Sequence, residues 1–487
     1  MTNSQFLLCF LTIIPLAGIA VMAIVRDYPA VLARVGLIIT AIFLINIIAL
    51  FYSYSGDNSA AFNLMAIQKD LPIGLSTSHI SLVFLVLIGI IWLALTVYGN
   101  RYFLISNDQF LFWFKIFMAL LIELIVLILF AKNLISMFLF YQALIFVIYF
   151  CHTYFVHKDD IKASYNFTFL LLLSSLAFLL AVILTYKISG STEFAVVKGL
   201  SSSSYAVLIC LYLAGIVIMA LLPLYLLYGS LYYLSAPVIM LTFVVAYALV
   251  ILFMLLKVLI GIFGTELLIY YDNQSSLNLI IKIILAFNLL ISAFFSLVGK
   301  NLKKILIYLF FNQLILVIFA FFVFKAAAYQ MIITVISFIL SQILLFLSIG
   351  NINLYLFNSE QKSVKGLFRQ LRITVGCLIF ALLNMVGLAP AIGFAAKYYL
   401  FQQAIADKSF LEIFIVIVNI VLNIICAIKI IYPMLNRQKV IDRSGLEAAR
   451  KIEFDSGLLF AISFMVFIMC FSLFFSFSKA KLITDFI

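Results

Sequence analysis

The sequence predicts an all-α membrane protein that crosses the bilayer about fourteen times. Three observations predict it. The 487 residues are 67% hydrophobic and only 10% charged, whereas soluble domains sit near half apolar and a quarter charged. Mean hydropathy is +1.29. The apolar residues also come in unbroken runs of about 20, the helix length that crosses hydrocarbon. A water-soluble fold of this size has too little interior to hide so much apolar surface. Lipid leaves only helices and closed barrels as spanning elements, because open backbone groups find no partner there. A barrel would show short alternating strands instead.

Taken in order, the runs fall at 5–25, 30–53, 79–99, 108–130, 133–155, 165–188, 204–230, 235–264, 279–298, 304–325, 328–350, 372–395, 410–435 and 456–478. The first lacks a basic segment before it and reads as a retained helix rather than a cleaved leader. The longest connections, 54–78 and 351–371, are too short for a soluble domain. The chain is thus one polytopic domain, divided as N-terminal spans 1–107, a first repeat 108–264, a second repeat 279–435, and a basic loop with the last span at 436–487.

The net charge of +12 would suggest nucleic acid in a soluble protein. Here seventeen of the thirty Lys and Arg residues lie in connections after odd-numbered runs and nine in the others. That bias marks the odd connections as cytoplasmic, so both termini are expected outside, on the periplasmic side of a bacterial inner membrane or its equivalent. The six Cys (9, 151, 210, 377, 426, 470) are scattered and form no CxxC or Cys/His spacing. Neither a metal site nor a disulfide framework is expected. His152 and His157 have no carboxylate or Cys partner nearby in sequence and do not make a metal site either.

Two runs are interrupted at comparable places. The seventh carries Leu222-Pro223-Leu-Tyr225 and leads to Ser235-Ala-Pro237; the twelfth carries Asn384-Met-Val-Gly387-Leu-Ala-Pro390-Ala-Ile-Gly393-Phe-Ala-Ala-Lys397. Proline removes a backbone donor and clashes with the preceding turn, so each helix should break there. Paired breaks in two halves of a chain point to inverted repeats with an ion path between them. At these residues the chain resembles the antiporter-like membrane subunits of respiratory complex I (N, M and L type) and of Mrp cation/proton antiporters (D type). The Gly387–Lys397 stretch looks like that family's broken twelfth helix. Leu302-Lys-Lys-Ile-Leu-Ile-Tyr308 with Asn312-Gln-Leu resembles its tenth, and Ala131-Lys-Asn-Leu-Ile-Ser-Met-Phe-Leu-Phe-Tyr141-Gln142 its fifth. Leu222-Pro-Leu-Tyr225 and Ser235-Ala-Pro237 look like its seventh-helix segment. The likeness runs over roughly residues 79–435.

That resemblance implies a mid-membrane series of ionisable groups: a glutamate in the fifth helix paired with a lysine in the seventh, then lysines and histidines onward to the twelfth. This sequence departs from the pattern. The glutamate position is Gln142, and no Asp, Glu, Lys, Arg or His occurs from Gly199 to Leu256. The histidine position is Tyr225, the eighth-helix lysine falls on Leu249, and the eleventh-helix lysine on Gln342. Lys397 stands, either as a terminal proton donor toward the outside or as a lysine that snorkels or bonds the carbonyls freed at the break, and Lys257 matches a family lysine at the end of the eighth helix. The losses agree with one another, since a buried lysine without its glutamate is a costly unpaired charge.

Two readings stay open: a paralogue whose scaffold outlived its proton path, and ions taking another route. For the second, Glu123 lies about as deep in the fourth run as Gln142 in the antiparallel fifth, counted at ~1.5 Å per residue. It is a candidate relocated carboxylate. The ion-path candidates are therefore Lys397, Glu123, Gln142, Gln342 and Lys257. Lys115, Lys257 and Lys429, nearer run ends, read as snorkelling; Gln142, Asn312, Gln313, Gln342, Asn384, Asn419 and Asn423 read as interhelical glue. No glycine-rich nucleotide loop or cluster signature appears, so no cofactor is expected. Implied partners are the bilayer and homologous antiporter-like subunits, with H+ or Na+ as the ion. The alternatives are a structural scaffold subunit and an unrelated secondary transporter.

Overall fold

The computed structural model describes residues 3–53, 61–68, 71–106, 110–155, 161–194, 202–217, 236–263, 275–323, 328–358, 364–389, 391–406, 408–436, 452–453 and 455–478. The protein is an all-α membrane protein, multi-pass, with eleven helices among the described residues long and apolar enough to cross a bilayer. In chain order the helices are α1 (Asn3–Ile24), α2 (Pro29–Ser53), α3 (His79–Ile105), α4 (Leu111–Leu129), α5 (Leu134–Phe155), α6 (Ile161–Ser189) and α7 (Ser202–Ile216). There follow α8 (Pro237–Phe263), α9 (Ser275–Val298), α10 (Leu302–Val323), α11 (Ala328–Asn358), α12 (Arg372–Val386), α13 (Ile392–Ala406), α14 (Phe410–Leu435) and α15 (Ser456–Ser478). Their apolar runs drive them into lipid, and the i→i+4 ladder then satisfies the backbone within each helix.

The chain divides into two compact units. The first comprises Met1–Thr96, Phe110–Tyr233 and Val245–Asn278. Within it α1 packs on α2 and α4, and α4, α5, α6 and α7 pack successively, each on its chain neighbour. Short connections favour this adjacency. The connection at 54–78, too short for a soluble domain, holds an antiparallel hairpin of β1 (Ala61–Gln68) and β2 (Leu71–Ser76), with Ala61 opposite Ser76 and Gln68 opposite Leu71. The hairpin does not stand alone. Ser76 N donates to Phe130 O (2.6 Å) and Lys132 N to Gly74 O (2.9 Å), which joins β2 to the α4–α5 turn. Asn133 Nδ2 donates to Pro72 O (2.5 Å), and Gly74 N donates to Ser136 Oγ (3.1 Å).

The second unit comprises Val97–Gln109, Leu234–Val244 and Leu279–Ile487. Helix α11 is its core, packed on α10, α12, α13 and α15. Helices α9 and α14 bury much less of themselves than α11 does. Helix α8 departs from the regular α-form in two places, with wider π turns at Met240–Leu249 and Leu259–Phe263. Such turns are uncommon and concentrate at functional sites.

The expected break in the twelfth run is present. Helix α12 stops at Val386, and α13 starts at Ile392. Pro390 itself lies outside the described residues, as does Pro223 with the whole stretch 218–235.

Candidate functional site: the interrupted helix at Lys397

The break begins at Gly387, whose φ of +88° places it in the left-handed region open to glycine. Leu388 N donates to Leu383 O (3.0 Å) and Gly387 N to Asn384 O (3.1 Å), closing the end of α12 in a Schellman arrangement. Two side chains then cross the gap in opposite directions. Asn384, on the last turn of α12, accepts the Gly393 N–H at Oδ1 (2.6 Å) and so caps the start of α13. Lys397, on the second turn of α13, donates from Nζ to Met385 O (2.5 Å) and Val386 O (2.6 Å) and so caps the end of α12. Each half of the broken helix supplies the cap of the other.

The glycines make this wiring possible. A Cβ on Gly393 would meet the backbone oxygen of Asn384, and one on Gly387 would meet the Lys397 side chain. Asn384 is held in turn by its Nδ2, which donates to Ser337 O at 3.1 Å.

Beside the break lies a cavity of about 30 Å³. Its polar lining comes from Gln313, Thr334, Ser337, Ser341, Asn384 and Lys397. A water needs roughly 10–15 Å³ on this measure and several polar partners, so the cavity has room for two waters. Lys397 is 8% exposed and meets no carboxylate among the described residues. Its counter-charge is the carbonyl end of α12, where the helix dipole places about half a negative charge.

Of the other sequence-derived candidates, Gln342 comes to this place: its Nε2 donates weakly to Met385 Sδ (3.7 Å), and its buried Oε1 has no partner among the described residues. The first-unit candidates are not brought together by hydrogen bonds. Gln142 Nε2 donates to Ser175 Oγ on α6 (2.7 Å). Glu123 is buried on α4, and its Oε2 has no hydrogen-bond partner among the described residues. Lys257 Nζ donates to Leu129 O (3.1 Å) and Ala131 O (2.8 Å). Lys115, read from sequence as snorkelling, is instead buried, with its Nζ on Leu32 O (2.9 Å) and Ala33 O (3.4 Å), against Gly36.

Sequence reasoning missed the capping role of Asn384, since an asparagine nine residues before a glycine carries no signal until the chain is known to fold back. Asn312, read from sequence as interhelical glue with Asn419 and Asn423, meets both of them. Asn312 Nδ2 faces Leu289 O (2.8 Å), Ser292 Oγ (3.0 Å) and Asn419 Oδ1 (2.8 Å), while its Oδ1 accepts from Asn423 Nδ2 (2.9 Å). This amide cluster joins α9, α10 and α14.

Apolar helices throughout, one of them interrupted and cross-capped by a buried lysine, define a class: polytopic membrane proteins with the discontinuous helices of transporters. The chain belongs to the NADH:quinone oxidoreductase/Mrp antiporter transmembrane family, whose model matches residues 131–423. No curated protein matches it by sequence. Among solved structures, the chain is similar to one from the Mrp complex of Dietzia sp. DQ12-45-1b, at 14% identity and TM-score 0.81, covering 100% of this chain and 96% of that one. A chain of the membrane-bound sulfane sulfur reductase, an archaeal respiratory membrane complex, matches at 16% identity and TM-score 0.82, covering 97% and 96%. A chain of respiratory complex I from Thermus thermophilus with bound aureothin matches at 17% and 0.72, covering 95% and 97%. At these identities the likeness is one of fold.

Proposed function

We propose that the chain is a membrane subunit of a complex I-like or Mrp-like assembly, and that its scaffold has outlived an ancestral proton or monovalent-cation path. The observation that carries this reading is how its intramembrane lysines are used. Lys115, Lys257 and Lys397 each place the ammonium on a pair of backbone carbonyls rather than on a carboxylate. A relay needs groups that exchange protons with titratable neighbours; these lysines instead satisfy backbone groups that lipid cannot. The charge-free stretch from Gly199 to Leu256 leaves no side chain to bridge them.

On this reading the chain has fourteen spans in two inverted repeats, with both termini on the periplasmic side of a bacterial inner membrane. Homologous antiporter-like subunits flank it. Pro223 breaks the seventh helix as the Gly387–Gly393 segment breaks the twelfth. Co-purification from native membranes tests the assembly: homologous subunits should come down with this chain, and its isolation alone would refute the proposal. Ion flux in vesicles tests the lost path. Purified chain should carry no more flux than the Lys397→Ala control.

A second reading rests on Glu123, a buried carboxyl on α4 with an unpartnered oxygen. It makes Glu123 a relocated carboxylate serving a different route. Residual ion coupling that disappears in Glu123→Gln would favour it over the scaffold.

A further inference from the structure

We infer that Lys257 and Lys429 are matched latches, one in each unit: Lys257 fastens α8 to the carbonyl end of α4, and Lys429 fastens α14 to the carbonyl end of α9. Lys257 lies on α8 and bonds Leu129 O and Ala131 O, at the end of α4. Lys429 lies on α14 and bonds Leu297 O (2.5 Å) and Gly299 O (2.6 Å), at the end of α9. In both cases the two acceptors are two residues apart. In both they include the carbonyls where a helix runs out, α4 ending at Leu129 and α9 at Val298. The donor follows its acceptors by 128 and 126 residues in the first case and by 132 and 130 in the second. The acceptor pairs are offset from each other by the same 168 residues, Leu129 to Leu297 and Ala131 to Gly299. The same device thus occurs once in each unit, at matching positions.

The chemistry explains why lysine serves here. The last carbonyls of a helix have no donor from their own ladder, and they carry the negative end of its dipole. An ammonium offers three donors at the end of a flexible stem. One lysine can therefore serve two such carbonyls and keep its charge without a carboxylate; Leu129 O also accepts from Ser81 Oγ (2.6 Å), while Ala131 O takes the Lys257 donor at 2.8 Å. Around Lys257 the Phe194 and Phe253 rings, at 4.9 and 5.4 Å from Nζ, add cation–π contacts. Lys429 is exposed, and its latch is reinforced along the same pair of helices. Cys426 Sγ meets Ser296 O at 3.7 Å, and at the other end Lys282 Nζ bonds Glu412 Oε1 at 2.9 Å. The inference removes Lys257 from the ion-path candidates and gives Lys429 a role other than snorkelling. It holds whether or not ions pass through the chain.

The test uses the full chain in detergent, with thermal unfolding and amide hydrogen exchange as readouts. Lys257→Met and Lys429→Met should each lower the midpoint by about 2–4 °C, and the double variant by the sum, since the latches share no partner. Exchange should rise around 130–136 in the first variant and around 299–303 in the second, without crossover. Lys257→Arg and Lys429→Arg keep charge and donors and should stay close to the parent in both readouts; they decide the matter if a Met variant fails to fold. Arginine variants as impaired as the methionine ones would overturn the inference. So would methionine variants with parental stability, or exchange that rises everywhere alike.

Discussion

At the scale of single residues, the break at 387–393 depends on two glycines for different reasons, and the two should fail differently. Gly387→Ala puts a Cβ at positive φ, a cost of about 1–2 kcal/mol, against a lysine side chain that can shift. Gly393→Ala drives a Cβ into the backbone oxygen of Asn384, which cannot move without opening the break. We expect a loss of about 3 kcal/mol there, the upper end for overpacking, measured by thermal denaturation of the purified chain. Lys397→Met should cost roughly 1.5–3 kcal/mol, the worth of hydrogen bonds to a charged group. These residues were legible in the sequence because glycine and proline at that spacing mark a broken helix. The carbonyls freed at the break were also legible as partners for Lys397, whereas those that Lys115 and Lys257 hold were not. Backbone carbonyls away from such a break leave no trace in a sequence, so Lys115 and Lys257 looked like snorkelling or relay groups when they are caps.

At the scale of elements, α12 is held at its far end by a residue remote in sequence. Glu453 Oε1 accepts from Ile373 N (2.5 Å) and Thr374 N (3.3 Å), at the start of the helix. Burial raises the Glu453 carboxyl above its ordinary 4.5, outweighing the opposing pull of those two N–H donors. A group raised on folding contributes its stability in full below the unfolded value and loses it as pH rises through the folded value. The midpoint should therefore decline with pH just above 4.5, and Glu453→Gln, which keeps the acceptor, should flatten that decline. Asn312→Leu should destabilise through the amide cluster, leaving Asn419 and Asn423 without their shared partner; each stranded buried group is worth about 1–3 kcal/mol. Periodicity and hydropathy located the helices but gave no sign of the hairpin at 61–76. Its strands are fixed by pairing with each other and with the α4–α5 turn, a contact that local sequence does not encode. The π turns of α8 were equally hidden, since a uniformly apolar helix gives no marker for a shifted register.

At the scale of the whole molecule, the class of fold followed from composition alone, because 67% hydrophobic residues leave no soluble solution. Family membership followed from short segments read in order, none of them specific by itself, and the match over 131–423 spans all four that carried the likeness. What did not follow was the state of the site. The sequence told which charges were gone, and the structure adds what the surviving ones hold. The proposed orientation has a direct check. A cysteine at Lys132 should react with a membrane-impermeant maleimide in intact cells or spheroplasts, and one at Lys300 only after permeabilisation. The opposite pattern would invert the assigned topology.

The cross-capped break also dictates an order of events at the ribosome. The α12 segment leaves the exit tunnel with the carbonyls of Met385 and Val386 unsatisfied, and their donor is translated eleven or twelve residues later. Neither piece is a finished transmembrane element when it first meets the insertion machinery. Each half is completed only by the other, so the interrupted helix is finished as one unit once Lys397 has been made.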